Sequence, residues 1–393
     1  MGVDHPVRAV GADHSVRATE AGTRRAWAEV DVGALRGNAA ALAALATPAA
    51  LCAVVKAGGY GHGAVPVARA ALEGGASWLA VALVEEGVEL REAGVEAPVL
   101  LLSEPPGTAM AEVVAGRLTA TVYTLGGVEA AAKAVAAAGR GRPLDVHVKV
   151  DSGMHRVGAA PDEAVQVATA VHERPELRLG GLWTHFATAD DPDPSFTAGQ
   201  SACFDEVVAR LSAAGIRPPL LHACNSAGAI AHPRARHDLV RCGLALYGVP
   251  PTPELARRVA LRPALSLRAR VSLVKSVAAG EGISYGLRHR FPRDSVVATV
   301  PIGYADGVPW RLGVSGGEVL VRGKRCPIAG AVTMDQLTVD CGDDHRVAPG
   351  DEVVLLGRQG EESVDAWEWA ERAGTIAYEI LCGIGPRVPR LYA

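Results

Sequence analysis

The run Leu51-Cys52-Ala53-Val54-Val55-Lys56, followed by Ala57-Gly58-Gly59-Tyr60-Gly61-His62-Gly63, decides how the chain is read. A short, unbroken apolar run bounded by glycines suits a strand buried on both faces, as in a parallel sheet. Ala-rich residues 63–74 then read as a helix closed by Gly74. The same unit recurs outward from this point. Further strands are predicted at 78–83, 98–103, 118–123, 144–150, 179–185, 220–225 and 239–246, and helices at 84–93, 125–139, 160–173 and 197–214. Eight strands alternating with helices through short loops predict an N-terminal (β/α)8 TIM-type barrel over 26–258, within an α/β fold. A doubly wound open sheet is the structural rival.

After Pro250-Pro251 the pattern changes. Leu265, Leu267, Ala269, Val271 and Leu273 alternate with polar residues, the period of a half-buried strand. Short strands at 295–301, 318–321, 337–339 and 352–356 and a helix near 364–373 predict a mostly β C-terminal domain over 259–393. Residues 1–25 are polar, carry no apolar stretch of a signal peptide, and are expected to be a disordered extension.

Composition narrows the function. Hydrophobic residues make up 49% of the 393, so a large core is available. The net charge of −4 comes without a basic stripe, which speaks against nucleic acid as a partner. No apolar run reaches the length of a membrane span. The seven cysteines are scattered, without CxxC, and read as small buried residues of a reducing, cytoplasmic compartment rather than as disulfide or metal ligands.

In a barrel of this kind, catalytic groups collect where the strands end. Lys56, Lys149 with Arg156, His185, Asn225-Ser226, and Arg241 with Gly243 all fall there, so they should share one mouth. A lone lysine at a strand end is more often a snorkelling surface residue. Desolvation at such a place favours the neutral amine that condenses with an aldehyde, and the Gly-rich loop lets backbone approach a ligand. Only five lysines compete for that role. Ser226 and Gly243 offer donors where many barrels hold phosphate; Ser226 could equally be a helix N-cap. His185 alone could be a core histidine. Arg241 lies in an apolar strand, so a ligand or a carboxylate is expected to supply its acceptors.

Together these segments resemble alanine racemase. The matching runs are 53–63, 149–158, 184–190, 222–226 and 240–248, then Ile283-Ser284-Tyr285-Gly286, 302–307, Met334-Asp335-Gln336, Ala377-Tyr378-Glu379 and Arg387-Val388-Pro389-Arg390, in the family's order. The resemblance implies a pyridoxal-phosphate enzyme that interconverts L- and D-alanine and supplies D-alanine for peptidoglycan. It also implies a head-to-tail homodimer with shared active sites. Carried over, Lys56 is the lysine that holds the cofactor through an imine, and Tyr285 of the other subunit is the second catalytic base. Tyr60, Asn225, Ser226, Gly243, Leu244 and Tyr378 are cofactor contacts. Arg241 pairs with the pyridine nitrogen and His185 flanks the ring. Arg156, Tyr304, Met334 and Asp335 lie on the substrate side. Lys149 is the lysine open to carbamylation.

Four positions depart from the family pattern. Gly58-Gly59 replaces Asn-Ala, a change expected to loosen the loop. Ser152 stands for Thr. Ala331 stands for an Arg of the entry corridor, which leaves substrate breadth less fixed than the chemistry. A broad-spectrum or serine racemase would share nearly every catalytic residue. A barrel-type decarboxylase pairs the ring nitrogen with a carboxylate, against Arg241, and a non-catalytic cofactor carrier on a lone barrel would lack the second domain.

Overall fold

The computed structural model describes residues 25–139 and 141–393. The expected extension over 1–25 lies, but for Arg25, outside the described residues. The first strand, β1 (Ala26–Val30), is followed by helix α1 (Val32–Ala46). The predicted parallel strands then follow as β2 (Ala50–Val54), β3 (Trp78–Val81), β4 (Val99–Leu101), β5 (Ala120–Val122), β6 (Leu144–Lys149), β7 (Leu177–Trp183), β8 (Leu220–His222) and β9 (Leu239–Cys242). They run as two parallel sets, β4-β3-β2-β9 and β5-β6-β7-β8. Backbone hydrogen bonds join both seams. Thr119 N donates to Val99 O and Leu101 N to Thr119 O, while Asp238 N donates to Leu221 O and Arg241 N to Cys224 O. The sheet therefore closes into a barrel rather than opening into a doubly wound sheet. Strands run only three to seven residues because their ends turn at once into loops, and those loops build the mouth.

The helix α1 was not among the helices predicted. Asp31 caps it, its side chain accepting from Ala34 N at 2.7 Å. It packs against the helix Ala64–Glu73 and against the 3-10 turn Leu244–Tyr247 that follows β9. Among the described residues no long helix follows the last barrel strand, so α1 supplies the missing cover from the other end of the barrel segment.

One boundary differs from the sequence reading. The strand β1, placed with the barrel on sequence, belongs to the C-terminal sheet. It pairs antiparallel with β10 (Leu265–Arg270) and parallel with Arg390–Tyr392. Ala26 and Glu29 in it are only half-buried, as suits a sheet with one covered face rather than a barrel core. Beyond it the second domain is mostly β, as its alternation indicates. The sheet continues through Glu352–Gln359 to Glu318–Val321 and Lys324–Pro327, and a separate sheet joins Leu273–Val277, Ser295–Val300 and Leu337–Asp340. One continuous apolar core spans both domains. Five cysteines are buried, but Cys203 is half-buried and Cys382 is exposed, so the expectation of burial fails for those two.

Candidate active site

The run that opened the sequence reading folds unexpectedly. The strand stops at Val54, and residues 57–60 all take positive φ: 54° at Ala57, 58° at Gly58, 63° at Gly59 and 49° at Tyr60. With Gly59 N donating to Val55 O and Gly61 N to Ala57 O, this is one turn of left-handed helix. Such a turn costs an L-residue roughly 1–2 kcal/mol per position, and glycine avoids that cost. Gly58 and Gly59 therefore do not loosen a loop; they let this tight turn form. It presents Lys56 at its start and Tyr60 at its end on the same mouth. Glu86 anchors it, accepting from Ala57 N at 2.6 Å.

Lys56 and Tyr60 line a cavity of about 600 Å3 at the ends of the barrel strands. Lys149, Arg156, His185, Asn225, Ser226, Arg241, Gly243, Leu244 and Tyr378 line it too. The sequence prediction that these residues converge is met geometrically. Tyr378 comes from the second domain, on the helix Ala377–Cys382, with its ring centroid 6.1 Å from that of Tyr60. Cys382 and Trp183 also reach the cavity. Cys382 is not singled out by the sequence as a site residue, and no motif points to it.

At one end of the cavity the backbone turns inward. Asn225, not Ser226, caps the helix Ser226–Ala231, accepting from Gly228 N at 2.9 Å. The Ser226 hydroxyl is thus free of capping. It accepts from Gly243 N at 3.0 Å and from Ala245 N at 3.4 Å, leaving its own proton to donate. A Cβ on Gly243 would lie 2.5 Å from Tyr60 Oη, so only glycine keeps this corner open.

Arg241 is fully buried and needs no carboxylate, contrary to the sequence expectation. Its Nη2 donates to Thr184 O at 2.8 Å and Ala223 O at 3.0 Å, with His185 Nδ1 at 3.3 Å. Its Nη1 lies 2.9 Å from His222 Nδ1. Two carbonyls at the strand ends and the Nδ1 atoms of His185 and His222 supply the acceptors. Nε–H and one Nη1–H make no hydrogen bond among the described residues.

Cations crowd this site. Arg241 and Lys149 both lie over the Trp183 ring, at 4.6 and 4.3 Å from its centroid. Burial, then Arg241 and Arg156, brings the Lys149 amine down to about 7. Burial, then Arg241, holds the His185 imidazole well below its usual value. With Arg241 donating to Nδ1, His185 is neutral and carries its proton on Nε2. Burial also pushes the Tyr378 phenol up to about 12.

Tyr285, Tyr304, Met334 and Asp335 do not line this cavity within one chain. They occupy the second domain, with Tyr285, Tyr304 and Met334 among its exposed large side chains. They are nevertheless tied to one another. Ser284 Oγ donates to Ala331 O at 2.8 Å. Tyr304 N donates to Thr333 O and Ala305 N to Met334 O. Arg387 bridges Asp306 and Asp335. Among the described residues there is no cluster of metal-ligating side chains, and no helix is long and apolar enough to cross a membrane.

The pyridine nitrogen and phosphate of pyridoxal phosphate suit the groups found here. A fixed guanidinium with free N–H groups, a hydroxyl with a free proton and an amine share one cavity.

The family pattern described as "Alanine racemase, N-terminal domain" matches residues 30–251, and that described as "Alanine racemase, C-terminal domain" matches 264–392. The chain is 48% identical over 375 residues to an alanine racemase of Symbiobacterium thermophilum, covering 94% of this chain and 98% of that protein. It is 42% identical to one of Nostoc sp. over 94% of this chain and 96% of that protein. Among solved structures, the alanine racemase of D-cycloserine-producing Streptomyces lavendulae superposes with a TM-score of 0.88 at 41% identity, over 94% of this chain and 97% of that one.

Proposed function

The chain belongs to the alanine racemase family, and on that premise we propose that its barrel-mouth cavity binds pyridoxal phosphate through Lys56 and works as half of a shared site. Alanine racemisation is its reaction. The observation that carries the cofactor assignment is the convergence of Lys56, Arg241 and the Ser226–Gly243 corner on one cavity. Lys56 Nζ would hold the cofactor covalently, Ser226 Oγ–H and the backbone around Gly243 and Leu244 would meet its phosphate, and Arg241 its ring nitrogen. When bound, the cofactor supplies the electron sink that weakens the α-C–H bond of the amino acid.

Racemisation then needs a proton taken from one face and returned to the other. Lys56 Nζ serves one face. Tyr285 Oη serves the other, and its place outside this cavity is why we assign it to the partner subunit. Arg241 gives up its own proton poorly, so as the partner of the ring nitrogen it would hold that nitrogen unprotonated and favour simple proton return over side reactions. Arg156, with the partner subunit's Met334 and Asp335, is placed on the substrate carboxylate. Lys149, uncharged in part at neutral pH, is in the form that takes up carbon dioxide; its carbamate would set a negative charge beside Arg156. The partner subunit's Tyr304, with Tyr378 of this chain, would narrow the space, so alanine is preferred over serine and lysine is nearly inert. Supply of D-alanine to peptidoglycan in the cytoplasm is the role the resemblance implies, and seven cysteines without a disulfide suit that compartment.

The test is chemical. Borohydride reduction of the purified holoenzyme followed by peptide mapping is expected to find the pyridoxyl label on Lys56. A label on any other lysine overturns the assignment. Turnover of L-Ala, L-Ser and L-Lys compared side by side checks the substrate; equal rates on L-Lys and L-Ala would leave the chemistry standing and remove the narrow pocket.

A further inference from the structure

Behind Arg241 the barrel interior holds polar groups that catalysis as described does not use. His222 and His147 are both fully buried. His222 Nε2 lies 2.9 Å from His147 Nδ1, and His222 Nδ1 lies 2.9 Å from Arg241 Nη1. The Trp183 ring is stacked on His222, with centroids 5.6 Å apart and planes 6° apart. Among the described residues His147 Nε2 has no hydrogen-bond partner.

The protons in this row follow from donor and acceptor counting. A guanidinium only donates, so His222 Nδ1 must accept. A neutral His222 then carries its proton on Nε2 and donates it to His147 Nδ1. His147 in turn carries its proton on Nε2. Any other arrangement sets two N–H groups against each other at hydrogen-bond distance. Burial agrees, pushing His147 down to about 3 and His222 well below its usual value, so both rings are neutral. The strand β7 makes room for the row. A Cβ on Gly181 would meet the His147 ring at 2.7 Å. One on Gly180 would sit 3.2 Å from His147 Nε2 and 3.5 Å from Asp145 Oδ1, so the last N–H faces the side of the barrel where Asp145 is held by Arg178.

We propose that His147 is a positioning residue for Arg241, fixing the tautomer and orientation of His222 so that the guanidinium keeps its free N–H groups turned to the cavity. This rests on the reading of Arg241 as the group that meets the cofactor ring. Without the acceptor on His147, the buried Nε2–H of His222 has no partner, and His222 regains one only by turning away from Arg241. The guanidinium then loses one of its four acceptors and its fixed plane.

The test begins with the wild-type chain, labelled with 15N-histidine and free of cofactor. Two-bond proton–nitrogen correlation at pH 7 is expected to show His147 and His222 as neutral Nε2–H tautomers, assigned by loss of each signal in single variants. A second pair of variants separates positioning from packing. His147→Leu removes the acceptor, whereas His147→Asn keeps an oxygen near the place of Nδ1. The Leu variant is expected to lose the Nε2–H signature of His222 and to drop kcat in both directions about tenfold, the size of one buried hydrogen bond, with KM little changed. The Asn variant should recover most of both. A wild-type His222 that is charged or in the Nδ1–H form overturns the proposal, and so does a folded Leu variant with unchanged kcat or an Asn variant as impaired as Leu. If the Leu variant fails to fold, the wild-type spectrum and the Asn variant still decide. The tautomers are read without cofactor, so a misplaced pyridoxyl label would undo the reading of the cavity and leave this measurement intact.

Discussion

At Tyr285 the chemistry and the fold separate, because the residue proposed as second base stands exposed on a domain away from the cavity it is to serve. Replacing it with Phe removes the oxygen and keeps the ring. Racemisation is expected to fall by about 10²–10⁴-fold, the usual worth of a positioned acid–base group. In D2O the variant should still exchange the α-proton of D-alanine through Lys56, with retention, and largely lose exchange from L-alanine; equal loss from both enantiomers would remove the two-base assignment. Lys149 gives a second test at this scale. Its amine is protonated below about 7 in the folded chain and below 10.5 when free of its surroundings. Between those values unfolding takes up a proton, so stability rises with pH across the window, and the burial penalty is full below it. Lys149→Met should therefore stabilise the chain most below pH 7 and lose its advantage toward the upper end, as urea titrations at several pH values would show. Single residues were legible where chemistry marks them: a lysine ending an apolar strand, an arginine inside one. His147 was not legible, since a histidine between valines at 146 and 148 reads as core until His222 is found across from it.

At the scale of elements, the eight barrel strands were legible because burial on both faces leaves an apolar run that little else produces. Their ends were overdrawn, since Lys56 and His185 lie past the last paired residue, in loops whose geometry periodicity does not report. The helix α1 escaped because its alanines bury small surfaces and mark no sharp stripe. The turn after β2 was misjudged for a different reason. Glycine pairs signal flexibility in a sequence, but here they relieve a fixed left-handed conformation. Gly58 has open space around its missing Cβ, whereas a Cβ on Gly59 would meet Val67 Cγ2 at 3.1 Å and Ala64 at 3.3 Å. Gly58→Ala is thus expected to cost about 1 kcal/mol from backbone strain alone, and Gly59→Ala more. Denaturant midpoints would rank them; a stabilised Gly58→Ala would mean the turn is not held left-handed in solution.

For the whole molecule, the shared-site assembly predicts complementation. Lys56→Ala and Tyr285→Phe chains are each expected to be nearly inactive. After subunit exchange, one of the two sites in each mixed dimer receives both wild-type residues, and activity should return in part. No recovery despite proven exchange would mean that each site is built within one chain. The division into two domains was visible in the change of period after Pro250-Pro251. The strand that crosses it was not, because five residues carry no mark of the partner they will choose.

That strand, β1, lies between β10 and Arg390–Tyr392. On the ribosome it emerges before any of the barrel and long before either neighbour. It must wait, edges open, while every barrel strand is made. The second domain cannot close until Arg390–Tyr392 has been made, and it cannot be cut away as a free-standing module without β1. A fragment covering 259–393 would lack the middle of its own sheet, and supplying β1 as a separate peptide should restore it.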